Sequence, residues 1–163
     1  MTDKVAATNG TSAGAGSDDP LLLDRQVCFP LYAATNLITR LYGPVLSAIG
    51  LTYPQYLVML VLWEEEPQTV GALGARLYLD SGTLTPLLKR MEAAGLVTRQ
   101  RDPQDERRVL IALTPKGRAL REDAVQVPSI MTGGIEPEGV AELRDSVRAL
   151  VAVLAGHGKP ARP

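Results

Sequence analysis

A β-hairpin signal that directly follows two short capped helices constrains the fold of this chain more than any other feature. The β-prone runs 96–99 and 109–113 are separated by the charged segment 101–108. Aliphatic and β-branched runs on either side of a polar turn predict an antiparallel hairpin. Upstream, capping residues predict helices over 70–77 and about 83–94, joined by a tight turn. A helix-turn-helix followed by a β-hairpin wing is therefore expected.

Helical signals dominate the rest of the chain, so the expected fold class is mainly α with a small β-hairpin wing. Asp19-Pro20 predicts the start of a first helix toward Gly50, because Asp can cap a helix and Pro fits its first turn. Pro30 is expected to kink this helix or to restart it just after Cys28. Thr52 begins a capping box before a long apolar stretch, which predicts a central buried helix. The remaining helices are expected over 115–131 and 137–155.

These elements predict a winged helix-turn-helix domain together with a helical arm formed by the N- and C-terminal helices. The first residues have few large apolar side chains and many Gly, Ser and Thr, a composition that cannot offset the entropy lost on ordering. The expected segments are a disordered tail at 1–18, a first helical segment at 19–50, the winged domain at 51–117, C-terminal helices at 118–156 and a disordered end at 157–163.

The basic charge is concentrated in the predicted winged domain. Residues 76–118 hold nine Lys and Arg against five Asp and Glu, a local charge of +4 in a chain of net charge -1. A polyanion such as DNA is expected to dock there. No apolar run reaches the roughly 18 residues of a membrane span, and the N-terminus lacks the pattern of a secretory signal. A cytoplasmic location is expected, where a thiol starts out reduced.

The second helix of the predicted pair begins with short polar side chains and carries two cations further along. Such a helix fits the major groove of DNA and can read bases while it is anchored on phosphate. The candidate DNA-binding residues are Ser81, Thr83, Thr85, Lys89 and Arg90. The apolar positions Leu84, Leu87, Leu88 and Met91 keep helical spacing for the core. An ordinary amphipathic helix is the alternative interpretation.

The hairpin tip adds three arginines to these candidates, which are Arg101, Arg107 and Arg108. An arginine on a narrow hairpin can insert into the minor groove. The neighbouring carboxylates, among them Asp105, would be costly against phosphate unless they orient the arginines. A solvated turn of mixed charge is the alternative.

Cys28 is the only cysteine, so it cannot form a disulfide within its own chain. Peroxides react with the thiolate, which hydrogen-bond donors such as tyrosine hydroxyls favour. Tyr32 lies one turn beyond Cys28, but Tyr42 lies fourteen residues beyond it, about 21 Å along a straight helix. Tyr42 can therefore serve the thiol only from another subunit, so a sensor site requires a homodimer. The alternative is a buried structural cysteine.

Two segments carry a family resemblance. Residues 105–117, Asp-Glu-Arg-Arg-Val-Leu-Ile-Ala-Leu-Thr-Pro-Lys-Gly, resemble the wing signature of the MarR class of winged helix-turn-helix repressors. Residues 77–92 closely resemble the recognition-helix region of the organic hydroperoxide resistance repressors (OhrR) within that class. The resemblance covers roughly residues 22–127. Cys28, Tyr32, Tyr42 and Tyr53 stand at the spacing of that family, and the lack of a second cysteine places the chain in its one-cysteine type.

The resemblance implies a repressor that senses organic hydroperoxides by oxidation of Cys28 to a sulfenic acid. The sulfenate would combine with a low-molecular-weight thiol or oxidise further, and the wings would release a near-palindromic operator. In the family, the first and last helices intertwine in a homodimer, and the wing arginine, Arg107 here, enters the minor groove. The residues implied to hold helix and wing are Asp80 and Asp105. The implied hydrogen-bond partners of the sensor, contributed by the other subunit, are Tyr42, Tyr53 and Tyr32.

Two other functions stay open. A MarR-type repressor could be released by non-covalent binding of a phenolic or other small effector, and its response would survive in Cys28→Ser. A thiol peroxidase would also use one cysteine, but the only cation near it in sequence is Arg25. No cofactor is expected, and no metal either, because His157 stands apart from other ligands. The residues expected in the core are Tyr56, Tyr78, Met59, Met91 and Met131, and Glu64-Glu65-Glu66 is expected to be a solvated helix end.

Overall fold

The computed structural model describes residues 19–132 and 137–157. The chain divides into two units, Met1–Ile38 and Thr39–Pro163. The helices are α1 (Cys28–Ala48), α2 (Tyr53–Glu64), α3 (Val70–Leu77), α4 (Ser81–Ala93), α5 (Pro115–Ala124), α6 (Ser129–Thr132) and α7 (Pro137–His157). The strands are β1 (Gln68–Thr69), β2 (Val97–Asp102) and β3 (Asp105–Leu113). The predicted disordered tail at 1–18 and residues 158–163 of the predicted disordered end lie outside the described residues.

In the first unit, the predicted helix start at Asp19-Pro20 is wrong. The Asp19 carboxylate accepts a hydrogen bond from the Leu21 N–H, and a single 3-10 turn follows at Leu23–Arg25. The α-helix begins only at Cys28, so Pro30 lies in its first turn. The N–H groups of that turn have no intrahelical acceptor, and a proline there removes no helical hydrogen bond. The predicted helix boundary at Cys28 is therefore confirmed, since Pro30 lies in the first turn of α1 and does not kink a longer helix.

The core of the second unit lies around α2, which packs on α3, α4 and α5. Val58, Met59 and Leu62 of α2 are fully or almost fully buried, as the apolar composition of this helix predicts. The predicted core positions of α4 are confirmed as well, since Leu84, Leu87, Leu88 and Met91 are all buried. Full burial of one such side chain is worth about 1.5–3 kcal/mol. The hydrophobic face of α4 is thereby fixed inward and its polar face outward.

The sheet has three antiparallel strands in the order β1-β3-β2. β2 pairs with β3 from Val97 opposite Leu113 to Arg101 opposite Val109, and the turn of the hairpin is 103–104. The strands thus extend through most of the predicted charged turn. The pairing is irregular there, because the partner on β3 changes from Val109, opposite Arg101, to Asp105, opposite Asp102. The hydrophobic pattern therefore underestimates the length of the two strands. The sequence does not predict β1, because two residues are too few to show a periodicity.

The prediction of one long helix over 115–131 is wrong, because this segment forms two helices, α5 and α6. α5 ends at Ala124, residues 125–128 form turns, and α6 begins at Ser129. Pro128 lacks an N–H and disfavours helical geometry at the preceding residue, which explains the break. The helix break predicted at 133–134 lies outside the described residues. No single helix within the described ranges is long and apolar enough to cross a membrane.

Two side chains lie elsewhere than the sequence predicts. Tyr78, expected in the core, adopts a left-handed conformation (φ 54°) after α3 and is 67% exposed, since the turn directs its side chain outward. Glu66, expected in a solvated helix end, accepts hydrogen bonds from the Leu113 N–H and from Arg118 Nε. Glu66 therefore ties the segment after α2 to the end of β3 and to α5.

Candidate functional site

The start of α4 is fixed by Asp80. Its carboxylate accepts hydrogen bonds from the Thr83 N–H at 2.8 Å and from the Thr83 hydroxyl at 2.9 Å. These two hydrogen bonds hold the pKa of Asp80 below its usual value, and the bond from the backbone N–H has the larger effect. Asp80 is the N-cap residue of α4, which begins at Ser81. An ionised cap at a helix N-terminus is favourable, because the helix dipole is positive there.

The polar candidates of α4 lie on the side away from the buried leucines. Ser81, Thr83, Lys89 and Arg90 are exposed, and Thr85 is half-buried. The Thr85 hydroxyl donates to the Ser81 carbonyl oxygen at 2.6 Å. The Thr83 and Thr85 hydroxyls each donate one hydrogen bond at the start of α4, and each oxygen keeps a lone pair that can accept another. They can therefore accept a hydrogen bond from a base amino group without giving up these bonds.

In the hairpin, Asp105 organises the neighbouring arginines. Its carboxylate accepts from the Arg107 N–H at 3.1 Å and forms an ion pair with Arg108 Nε at 3.2 Å. Arg101 donates to the carbonyl oxygen of Glu106 across the ribbon, at 3.2 Å. The Arg107 side chain is exposed and forms no ion pair with any described residue. Asp105 thus fixes the backbone of Arg107, while the guanidinium of Arg107 is left without an ion-pair partner among the described residues.

Arg99 is a further cation of this surface that the sequence reasoning left out. It lies on β2 opposite Ile111, and its side chain is only 21% exposed. Glu92, on α4, lies 3.6 Å from its guanidinium. Its position in the first β-prone run, inside the basic segment, could have indicated Arg99 as a candidate. Its limited exposure could not be predicted, because it depends on the packing of β2 beside α4.

Cys28 and Tyr32 belong to the first unit. Cys28 is the first residue of α1 and its thiol is exposed. Tyr32 lies one helical turn further on and is 67% exposed. Residues four apart on a helix share a face, so the two side chains are neighbours on α1.

Tyr42 and Tyr53 come together in the second unit. Their ring centroids are 5.3 Å apart, and the Tyr56 ring lies 6.3 Å from that of Tyr42. Tyr56 is buried, as predicted. Burial raises the pKa of all three phenols, and the neighbouring phenols add to the effect on Tyr42 and Tyr56. At neutral pH these tyrosines therefore keep their protons and remain hydrogen-bond donors.

Comparison with known proteins places this arrangement in a family. The family described as "Transcriptional regulator SarA/Rot" matches residues 40–124. The chain is 47% identical over 138 residues to the organic hydroperoxide resistance transcriptional regulator of Bacillus subtilis (strain 168), across 83% of this chain and 94% of the relative. The chain belongs to the organic hydroperoxide resistance regulators of the MarR class. It is thus a transcriptional regulator of the winged-helix type, and the resemblance found in the sequence is confirmed.

A second regulator and two DNA-bound structures are also similar to this chain. The regulator TtmR of Methylorubrum extorquens (strain PA1) is 56% identical over 118 residues, which are 72% of this chain but only 60% of TtmR. Reduced AbfR bound to DNA matches with a TM-score of 0.71 and 37% identity, over 84% of this chain and 95% of AbfR, a protein of Staphylococcus epidermidis. Overoxidised AbfR bound to DNA matches with a TM-score of 0.65 and 37% identity, over 80% and 94%. The mainly α fold with a hairpin wing is confirmed by these structures.

Proposed function

We propose that this regulator is a homodimeric repressor that binds operator DNA and releases it when an organic hydroperoxide oxidises Cys28. The observation that carries the proposal is the exposed thiol at the start of α1, in a chain 47% identical to an organic hydroperoxide resistance regulator. An exposed position gives a peroxide access to the sulfur. It also argues against the alternative of a structural cysteine buried within its own chain.

The proposed DNA contacts follow from the two exposed polar surfaces. α4 enters the major groove, with Ser81, Thr83 and Thr85 toward the bases. Lys89 and Arg90 lie further along the helix and contact phosphates. The hairpin follows the adjacent minor groove, in which an arginine gains from the concentrated negative potential. The proposed minor-groove residues are Arg107, at the tip, with Arg101 and Arg108 beside it.

A second copy of the chain supplies the other half of the site. Leu37 and Leu41 of α1 are 62% and 48% exposed, and Leu143, Val147 and Leu154 of α7 are 43–55% exposed. Large apolar side chains at helical spacing on two terminal helices favour burial against another subunit. Two recognition helices about one DNA turn apart would then read a near-palindromic operator.

The same dimer brings the tyrosines to the thiol. α1 begins at Cys28 and continues beyond Tyr42 to Ala48, as the argument from helical rise requires. Tyr42 and Tyr53 of one subunit therefore serve Cys28 of the other, with Tyr32 close by. Their protonated phenols donate to the sulfur and favour the thiolate, the form that reacts. The thiolate attacks the outer peroxide oxygen and the O–O bond breaks, which leaves Cys28 as a sulfenic acid and the peroxide as an alkoxide that takes up a proton.

The sulfenic acid has no second cysteine in this chain to react with. We favour a mixed disulfide, in which a low-molecular-weight thiol adds its sulfur to Cys28 and the hydroxyl leaves as water. Overoxidation is the other route. Overoxidised AbfR was solved on DNA, so in that relative overoxidation is compatible with DNA binding. A bulky thiol attached to Cys28 would displace the tyrosines further than one or two oxygen atoms.

DNA titration of the wild type and of Cys28→Ser, each with and without an organic hydroperoxide, tests the proposal. The probe is a duplex selected for binding from a random-sequence library. Both reduced proteins are expected to bind it, and only the wild type to release it on oxidation. Release by a phenolic compound in both proteins would favour the non-covalent effector instead. Repeated consumption of peroxide with a thiol reductant would favour a thiol peroxidase.

A further inference from the structure

Four aromatic side chains of the second unit form a continuous row, which consists of Tyr53, Tyr42, Tyr56 and Trp63. The ring of Tyr42 packs on both Tyr53 and Tyr56. The ring of Tyr56 in turn lies 6.4 Å from that of Trp63, in an edge-to-face arrangement. Aromatic rings attract one another at centroid distances of about 4.5–7 Å. Packed rings therefore connect the two proposed sensor tyrosines to Trp63.

A hydrogen bond carries this row on to a distant part of the chain. The Nε1–H of Trp63 donates to the carbonyl oxygen of Gly117 at 2.9 Å, across 54 positions of sequence. Tyr56 and Trp63 are separated by about two turns of α2, so they lie on the same side of that helix. The sensor end of α2 and the first turn of α5 are thus linked through side chains.

Gly117 lies at the base of the wing. Thr114, which directly follows β3, donates from its N–H to the carbonyl oxygen of Leu96 at 3.1 Å. Leu96 directly precedes β2. A Cβ at Gly117 would lie 2.1 Å from that same oxygen, so the backbone of α5 is in close contact with the start of β2. The bond from Trp63 therefore reaches the point where both strands of the hairpin join α5.

Trp63 has room to change its conformation. Two cavities border it, with volumes of about 170 and 280 Å³. By contrast, Val58 and Met59 on the same helix are fully buried, and close-packed interiors leave little space for movement. Coupling between distant sites is carried by packed side chains that can take two discrete arrangements. Trp63 combines that freedom with contacts to both ends of the route.

We propose that Trp63 couples the sensor tyrosines to the wing. When oxidation of Cys28 displaces Tyr42 and Tyr53, Tyr56 shifts, the indole turns and its bond to Gly117 is lost. The base of the hairpin is then released, and the wing leaves the DNA. Trp63 is a positioning residue, because it acts through Gly117. This inference rests on the proposed function, since it assigns the route from Cys28 to the hairpin.

The first arm of the test uses the fluorescence of Trp63, which is the only tryptophan of the chain. The protein, without DNA, is treated with an organic hydroperoxide and a small thiol, and intact mass gives the fraction of Cys28 modified. The emission of the wild type is expected to change in proportion to that fraction, and the emission of Cys28→Ser to stay constant. Tyr56→Leu removes the middle ring and keeps an apolar side chain, so it should lose the change at an equal fraction modified.

The second arm measures the affinity for the library-selected duplex before and after oxidation. Trp63→Phe keeps a ring but loses the N–H donor to Gly117. Its reduced form is expected to bind more weakly, because the bond holds the wing in its DNA-binding arrangement. Coupling between two sites typically changes affinity by roughly 5–150-fold, so oxidation should alter the affinity of Trp63→Phe at least about fivefold less than that of the wild type. Arg121→Gln borders both cavities but lies outside the row, and should respond like the wild type.

The outcomes separate this proposal from the proposed function. Constant emission during full modification of Cys28 would overturn the coupling through Trp63, even if the wild type releases the duplex and the proposed function stands. A wild-type response to oxidation in Trp63→Phe would overturn it as well. If the wild type keeps the duplex after full modification, the proposed function fails, and the emission still decides whether oxidation reaches Trp63. The emission arm alone decides if Trp63→Phe does not fold.

Discussion

Replacing Glu66 with alanine is expected to lower the free energy of unfolding by about 2–3 kcal/mol, because its carboxylate joins the segment after α2 to β3 and to α5. Glu66 accepts from the Leu113 N–H at 2.5 Å and from Arg118 Nε at 2.7 Å. A hydrogen bond to a charged acceptor contributes about 1.5–3 kcal/mol. The Arg118 side chain is 54% exposed, so its ion pair adds at most about 1 kcal/mol. Glu66→Gln keeps an acceptor for the Leu113 N–H and should cost only about 1 kcal/mol.

Urea denaturation followed by circular dichroism measures this loss. The protomer concentration must be held fixed, because the stability of a dimer depends on it. Glu65→Ala removes the exposed neighbouring carboxylate and should change the free energy by no more than about 0.5 kcal/mol. If Glu66→Ala is as stable as Glu65→Ala, the carboxylate does not hold the end of β3 and the reasoning is refuted.

Three further substitutions test the proposed sensor site, the contact of α5 with the residue before β2, and the N-cap of α4. Tyr53→Phe should slow sulfenic acid formation at Cys28 about two- to tenfold, measured by trapping with a dimedone reagent, because one donor to the thiolate is lost; Tyr56→Phe is the control and should leave the rate unchanged. Gly117→Ala should lower the free energy of unfolding by about 2 kcal/mol or more, measured by urea denaturation, because the added Cβ would lie 2.1 Å from the Leu96 carbonyl oxygen. Asp80→Ala should be less stable than the wild type at pH 7, with a difference that shrinks as the pH falls below about 4. The pKa of Asp80 is lower in the folded than in the unfolded state, so its stabilisation is present above the unfolded value and is lost as the folded carboxylate protonates. A difference that stays constant down to pH 3 would contradict this cause.

Local chemistry explains which parts of the fold the sequence predicts well. A helix cap joins residues three apart, as in Thr69 with Ala72 and Thr114 with Gly117. Such a bond depends on nothing further along the chain, so the starts of α3, α4 and α5 can be predicted from residue type alone. The buried face of α4 follows in the same way from its periodicity.

Contacts between segments that are distant in the sequence could not be predicted in this way. Glu66 bonds to a residue 47 positions away, and nothing in its acidic surroundings distinguishes it from Glu65. Arg99 is confined because β2 lies beside α4, and Tyr78 is exposed because the turn after α3 is left-handed. The proposed sensor site also requires a second chain. Helical rise predicts that Tyr42, if it serves Cys28, comes from a partner subunit, but it does not predict the 5.3 Å distance between the rings of Tyr42 and Tyr53.

The central claim is that the chemical state of Cys28 controls DNA binding. The most direct measurement follows both in one sample, with intact mass for the fraction of Cys28 oxidised and fluorescence anisotropy for the fraction of the selected duplex bound. During a titration with an organic hydroperoxide in the presence of a small thiol, the account predicts that oxidation and release rise together, and that Cys28→Ser shows neither. Full modification of Cys28 while the duplex stays bound, or release before any modification, would contradict it.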